Sequence, residues 1–171
     1  ITKLLKYRKE NLLEVTVAKH SANQSVNEAE RKADFWIFGG IFRPVWLEVL
    51  PTVHIEQVAI DAKMNGRFNA SIIANSKLVD NAEFKIISQD GKVVGTDSFD
   101  EKEFNGTAKQ KFSFATAFFH LKNWNPEEPV LYTAVISIYN KGKLLHTVSQ
   151  KFGFRTVEVK QRDGIYVNGV K

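Results

Sequence analysis

The chain contains no cysteine, and this absence excludes several kinds of site at once. Without thiols there is no disulfide, no thiolate nucleophile and no cysteine-ligated zinc or iron–sulfur cluster. No apolar run approaches the roughly 18 residues that a membrane-spanning helix needs, so we expect no membrane partner. The histidines do not occur at metal-ligand spacing, and we expect neither a metal nor another cofactor; they are His20, His54, His120 and His146.

Prolines are also few, 4 in 171 residues, while hydrophobic residues make up 43% and charged residues 25% of the chain. This composition is typical of a folded globular domain and not of a disordered chain. The formal charge of +5 would permit nucleic-acid binding, but the basic residues are spread along the sequence. Even the densest basic group, residues 3–9, is followed by Glu10 and Glu14. We therefore expect a solvated basic surface and no nucleic-acid partner.

From residue 53 onward, apolar side chains alternate with polar ones at a period of two, which predicts half-buried β-strands. In residues 53–63 the alternation shifts between Ile55 and Val58, which predicts a bulge near Glu56 and Gln57. Turn signals at 65–67, 89–92, 104–107 and 140–143 separate the runs. The predicted strands are 53–63, 67–75, 82–88, 92–97, 107–117, 131–139 and 143–152.

Seven strands in about 100 residues are typical of an immunoglobulin-like sandwich. The stretch "HLKNWNPEEPVLY" at 120–132 interrupts the alternation, and its two prolines cannot donate ladder hydrogen bonds. We interpret it as a crossover loop between the two sheets. The fold predicted from these patterns is all-β.

Residues 1–50 add two further predicted strands, "NLLEVTVAK" at 11–19 and "RPVWLEVLP" at 43–51, with a polar loop or short helical turn at 21–33 between them. Two strands cannot bury both of their faces. We interpret the segment as the end of a larger β domain and expect a homodimer through residues 1–50; the alternative is that the segment folds back onto the sandwich of its own chain. Its candidate exposed apolar residues are Val15, Val17, Trp36, Phe38, Phe42 and Trp46.

Three stretches carry a resemblance to a known family: "SVNEAERKADFWIFGGIFRPVWLEVLP" at 25–51, "WNPEEPVLY" at 124–132, and "QKFGFRTVEV" with "DGIYVNGVK" at 150–171. In this order they resemble family 2 glycoside hydrolases, and the first stretch leans toward β-galactosidase-like members. It contains a Gly-Gly-Ile-aromatic-Arg pattern at Gly39, Gly40, Ile41, Phe42 and Arg43. The resemblance implies three parts: residues 1–50 as the incomplete C-terminal part of a sugar-binding jelly-roll domain, 51–159 as an immunoglobulin-like β-sandwich, and 160–171 as the lead-in to a catalytic (β/α)8 barrel.

The resemblance also implies a function for a longer parent enzyme. Such an enzyme hydrolyses terminal β-glycosides with retention, using two glutamates of the barrel, so the carbohydrate substrate and a barrel in cis are the implied partners. This chain should then be noncatalytic, and its own Glu127, Glu128, Asp97 and Asp100 are interpreted as solvated loop charges. A stand-alone carbohydrate-binding or adhesion sandwich is the alternative. The compartment is not identified, although a periplasmic or secreted parent is favoured over a cytoplasmic one.

Two groups of candidate site residues follow from the same resemblance. Asp34 and Trp36 precede the glycine pair and are the candidates to face substrate, because aromatic rings pack on sugar C–H surfaces and a carboxylate accepts sugar hydroxyls. The alternative is structural, with the aromatic stretch at 35–42 acting as a plug between domains. A second group is predicted to form a structural junction between domains; it consists of Gly39, Gly40, Arg43, Trp124 and Arg155.

Overall fold

The computed structural model describes residues 2–31, 39–98, 101–103 and 109–171. The chain divides into two units, residues 1–48 and 49–171. The three-part division predicted from the sequence stays a prediction. Among the described residues, no helix is long and apolar enough to cross a bilayer.

The described part of the first unit contains a short 3₁₀ helix, Thr2–Leu4, and one α-helix, α1, Gln24–Arg31. The helix begins after Asn23, whose side-chain Oδ1 accepts the backbone N–H of Ser25 at 3.0 Å, as an N-cap residue does. The short helical turn predicted for 21–33 is thereby confirmed.

The two strands predicted for residues 11–19 and 43–51 are wrong, because the structure assigns no strand to either range. The alternating pattern specifies two faces, but a strand also needs a hydrogen-bonded neighbour along its edge. No described residue of the first unit supplies one. Val15, Phe42 and Trp46 are instead exposed.

The second unit is a two-sheet antiparallel sandwich followed by a hairpin. Its strands in chain order are β1 Ile55–Ala62, β2 Arg67–Ala74, β3 Asn81–Ile87, β4 Val93–Ser98, β5 Glu101–Glu103, β6 Gln110–Ala117, β7 Tyr132–Asn140, β8 Lys143–Phe152, β9 Val157–Lys160 and β10 Gly164–Val167. One sheet has the order β1-β2-β6-β5 and the other β4-β3-β7-β8, while β9 and β10 pair with each other. The all-β sandwich predicted from the sequence is confirmed.

The core lies between the two sheets and is strongly aromatic. The inward-facing residues of β2, β3, β6 and β7 alternate with outward ones, so Phe68, Phe84 and Phe114 meet in the centre. The ring centroids of Phe84 and Phe114 are 4.3 Å apart, and those of Phe68 and Phe84 are 5.7 Å apart. Each buried phenylalanine stabilises the fold by roughly 1.5–3 kcal/mol through removal of apolar area from water.

The β1–β2 register shifts between Ile55 and Gln57, which confirms the predicted bulge. Two further register shifts were not predicted, one in the β3–β4 pairing between Ile86 and Ile87 and one in the β7–β8 pairing between Ile138 and Tyr139, and neither was β5. The loop from β6 to β7 does cross between the sheets, as expected for residues 120–132. The turn predicted at 104–107 lies outside the described residues.

Candidate functional site

The crossover loop between β6 and β7 is tied to the sandwich at three points. At its start, the Phe118 backbone N–H donates to the Gly66 carbonyl oxygen at 2.8 Å. In its middle, the Trp124 N–H donates to the Phe154 carbonyl at 2.9 Å. The buried Tyr132 hydroxyl accepts the Lys122 N–H at 3.0 Å and donates to the Lys122 carbonyl at 3.2 Å. These contacts give the loop a fixed path although its prolines keep it out of the ladders.

Trp124 and Arg155, both predicted as junction residues, contact each other. The Arg155 guanidinium carbon lies 4.7 Å from the centroid of the Trp124 ring, which is a cation–π distance. The Arg155 backbone N–H also donates to the Ala62 carbonyl, at 3.0 Å, at the end of β1. Gly153 leaves room for the indole, since a Cβ at this glycine would lie 2.7 Å from the Trp124 Cβ.

The hairpin β9–β10 is joined to this site by Asn168, which sequence reasoning did not select. The Asn168 N–H donates to the Thr156 carbonyl at 2.8 Å, and the Thr156 N–H donates back to Asn168 Oδ1 at 2.8 Å. Asn168 Nδ2 donates to the Trp124 carbonyl, also at 2.8 Å. We call Trp124, Gly153, Arg155, Thr156 and Asn168 the sandwich–hairpin junction.

The signal that could have found Asn168 is the Asn-Gly pair at 168–169. Both residues have positive φ, 52° and 82°, and Val167 and Val170 exchange backbone hydrogen bonds of 2.7 and 3.0 Å across them. This is the geometry of a type I′ turn, for which Asn-Gly is the preferred pair. The turn could be read from sequence, but its contact with Trp124, 44 positions earlier, could not.

The exposed face of the hairpin carries a small ionic cluster. Asp163 Oδ1 lies 2.6 Å from Lys171 Nζ, and the Tyr166 hydroxyl donates to Asp163 Oδ2 at 2.6 Å. The Lys171 ammonium and then the Tyr166 hydroxyl lower the pKa of Asp163, and the bond to Asp163 raises the pKa of Tyr166. Lys160 Nζ lies 3.8 Å from the Tyr166 ring centroid.

The other predicted site residues belong to the first unit. Gly40 has a φ of 94°, which only glycine adopts easily, so a sharp backbone turn occurs where it was predicted. The Arg43 guanidinium lies 5.8 Å from the Phe42 ring centroid. Asp34 and Trp36 lie outside the described residues. The substrate-facing and junction roles therefore stay predictions.

The surface of the second unit has two open depressions large enough for a small ligand. One, of about 520 Å³, lies over small side chains of β1, β2 and β6, including Asn69, Ser71 and Ser113. The other, of about 470 Å³, lies between β1 and β8 beside Lys151 and Arg155. Asp61 is the one carboxylate that lines either depression in the described part of the chain. No group of three potential metal ligands occurs among the described residues.

The fold and the junction together define a β-sandwich domain with a hairpin fixed to one end. Residues 50–155 match the family described as glycosyl hydrolases family 2. Because this range is more than half of the chain, the chain belongs to that family. The resemblance inferred from the three sequence stretches is confirmed.

Several relatives are β-galactosidases. The chain is 36% identical over 161 residues to one from Clostridium acetobutylicum, covering 90% of this chain and 17% of the relative. It is 28% identical over 180 residues to one from Thermoanaerobacter pseudethanolicus, covering 99% of this chain and 23% of the relative. The chain thus spans about a fifth of the length of these relatives.

A solved structure shows the same fold. The β-glucuronidase of Bifidobacterium dentium, complexed with coumarin-3-O-glucuronide, matches with a TM-score of 0.56 at 24% identity. The match covers 68% of this chain and 20% of that chain. At this identity the match supports the fold and not the choice of sugar.

Proposed function

We propose that this chain is the noncatalytic β-sandwich part of a retaining family 2 glycoside hydrolase of the β-galactosidase type. In the full-length enzyme a catalytic barrel in cis hydrolyses terminal β-glycosides, and the sandwich holds the segments on its two sides in a fixed arrangement. The family membership and the β-galactosidase relatives support the reaction class.

The observation that carries the spacer role is the sandwich–hairpin junction. Residues 153–156 follow the last sandwich strand, β8. Four contacts fix them and the hairpin to the crossover and to β1, and two further bonds join Thr156 to Asn168. A spacer needs such a connection, because a flexible one would leave the following segment free to rotate.

The contacts of two acidic residues, Glu128 and Asp97, also fit a noncatalytic role. Retaining hydrolysis uses two carboxyl groups about 5–5.5 Å apart across the scissile bond. Glu128 of the crossover lies on the surface 3.2 Å from Lys122 Nζ, as an exposed ion pair. Asp97 accepts the N–H of Ser98 next to it. Asp100, the remaining candidate of that acidic stretch, lies outside the described residues.

Enzyme assays test this proposal. The purified chain should not hydrolyse an aryl β-galactoside or an aryl β-glucuronide, whereas an enzyme containing this segment and the catalytic barrel should hydrolyse one of them. Turnover by the isolated chain that survives repurification and scales with its concentration would refute the noncatalytic role. The same substrates, used as ligands in calorimetry, test the alternative of a stand-alone carbohydrate-binding module.

We also propose that Asp34 and Trp36 face the substrate in the full-length enzyme. The support is the position of these residues just before the Gly-Gly pair in a stretch that resembles the family pattern. In such an enzyme, Asp34→Asn and Trp36→Ala should raise KM or lower kcat/KM, while Trp46→Phe should not. Unchanged kinetics in both variants would refute the proposal.

A further inference from the structure

Asn168 is the side chain that connects the hairpin to the crossover loop. Its backbone N–H and its Oδ1 are both bonded to Thr156, at 2.8 Å each. Its Nδ2 is bonded to the Trp124 carbonyl at 2.8 Å. The two side-chain bonds use both ends of the amide group, so no other side chain of similar size reproduces the pair.

From this geometry we infer that Asn168 is the positioning residue that makes the hairpin and the sandwich move as one body. The type I′ turn alone fixes only the path from β10 into the residues after it. The amide adds the link to Trp124, whose own N–H is bonded to Phe154 and whose ring lies under Arg155. The turn is therefore held by the crossover, and the crossover is held by the buried core residue Phe154.

The neighbouring backbone explains why this position suits asparagine. Residue 168 has a φ of 52°, in the left-handed region that asparagine enters more readily than most residues. Thr156 is held from its other side as well, because its Oγ1 accepts the Met64 N–H at 3.2 Å. The Asn168 amide thus bonds one donor, the Thr156 N–H, and one acceptor, the Trp124 carbonyl. Both of these residues are themselves bonded to the sandwich. That this coupling orients the segment after the hairpin in a full-length enzyme rests on the proposed spacer function, whereas the coupling itself does not.

Amide hydrogen exchange on the full 171-residue chain, read by mass spectrometry, tests the inference. Asn168→Gly keeps a residue that adopts positive φ but removes both side-chain bonds. We expect peptides from 157–167 and from the crossover around Trp124 to exchange about 5- to 100-fold faster, as expected for two lost hydrogen bonds, with β3 and β7 unchanged. Asn65→Gly, in the other described Asn-Gly pair, is the control for loss of an asparagine side chain, because Asn65 Oδ1 bonds the nearby Arg67 N–H and reaches no distant segment.

Asn168→Asp separates the two bonds. An aspartate keeps an oxygen for the Thr156 N–H but cannot donate to the Trp124 carbonyl when it is ionised. We expect Thr156 to stay protected while the crossover exchanges faster. Unchanged exchange in the hairpin and crossover of Asn168→Gly would overturn the inference, and so would an equal increase in β3 and β7. Since neither variant is assayed for hydrolysis, a failure here is distinct from a failure of the proposed function.

Discussion

Replacing Gly66 by alanine should destabilise the sandwich far more than an ordinary glycine substitution. Gly66 has a φ of 85°, and a Cβ built on it would lie 1.8 Å from the Phe118 carbonyl oxygen. The same two residues are also joined by a backbone hydrogen bond, which the Phe118 N–H donates to the Gly66 carbonyl at 2.8 Å. The new methyl group must therefore push the start of the crossover away from the turn that it is bonded to.

Three costs add up at this position. A non-glycine residue with this φ is strained by roughly 1–2 kcal/mol. Displacing Phe118 weakens its backbone bond, which is a loss of about 0.5–1.5 kcal/mol. It also disturbs the packing of the Phe118 ring against Phe68 and Phe154, whose centroids are 5.6 and 6.1 Å away, for about 1–2 kcal/mol more. We expect a loss of about 3–5 kcal/mol in the free energy of unfolding.

Gly91→Ala is the matched control, because Gly91 has a φ of 81° but nothing within 4 Å of its added Cβ. This variant should show the φ strain alone, about 1–2 kcal/mol. Urea unfolding followed by circular dichroism measures both values, and the melting temperature should fall by roughly 2–4 °C per kcal/mol. If Gly66→Ala costs no more than Gly91→Ala, the close approach of the two backbones does not exist in solution.

Three further predictions concern other contacts. The pKa of Tyr166 should lie above its ordinary value of about 10, because its hydroxyl donates to Asp163, and this bond is lost as the pH rises through the raised pKa; absorbance titration should show a lower pKa in Asp163→Asn, which removes the carboxylate charge. His146 Nδ1 accepts the buried Ile55 N–H at 3.1 Å, so His146→Ala should lower the free energy of unfolding in urea by about 1–3 kcal/mol. A loss no larger than that of His20→Ala, which removes an exposed histidine, would contradict this. Light scattering should show a dimer that becomes monomeric when residues 1–50 are removed, and a monomer over a broad concentration range would exclude it.

The sandwich could be predicted from sequence because burial on one face of a strand leaves a period-two pattern. The strand predicted at 67–75 is observed as Arg67–Ala74, and that at 143–152 as Lys143–Phe152. The bulge at Gln57 was predictable for the same reason, since an extra residue changes which side chains face the core. Each of these features is encoded within about ten residues.

The period-two pattern gave a wrong prediction where strand formation depends on a neighbouring strand. Residues 11–19 and 43–51 have alternating apolar side chains, but the described residues of their unit provide no strand to pair with them. Strand β5 is three residues long and pairs with one edge of β6, too short for any period to be visible. Contacts of the junction, such as that of Asn168 with Trp124, join distant segments and leave no local pattern. Trp124 and Arg155 were selected through the family resemblance and not through periodicity.

The residues after β8 are held at the junction mainly through their backbone. Phe154 is buried in the core and accepts the Trp124 N–H, while the Arg155 N–H bonds the Ala62 carbonyl. These bonds depend on the backbone, which every residue except proline can supply. Side-chain identity matters mainly at Gly153, where a Cβ would collide with Trp124, and at Asn168. The junction thus depends on side-chain identity at few positions.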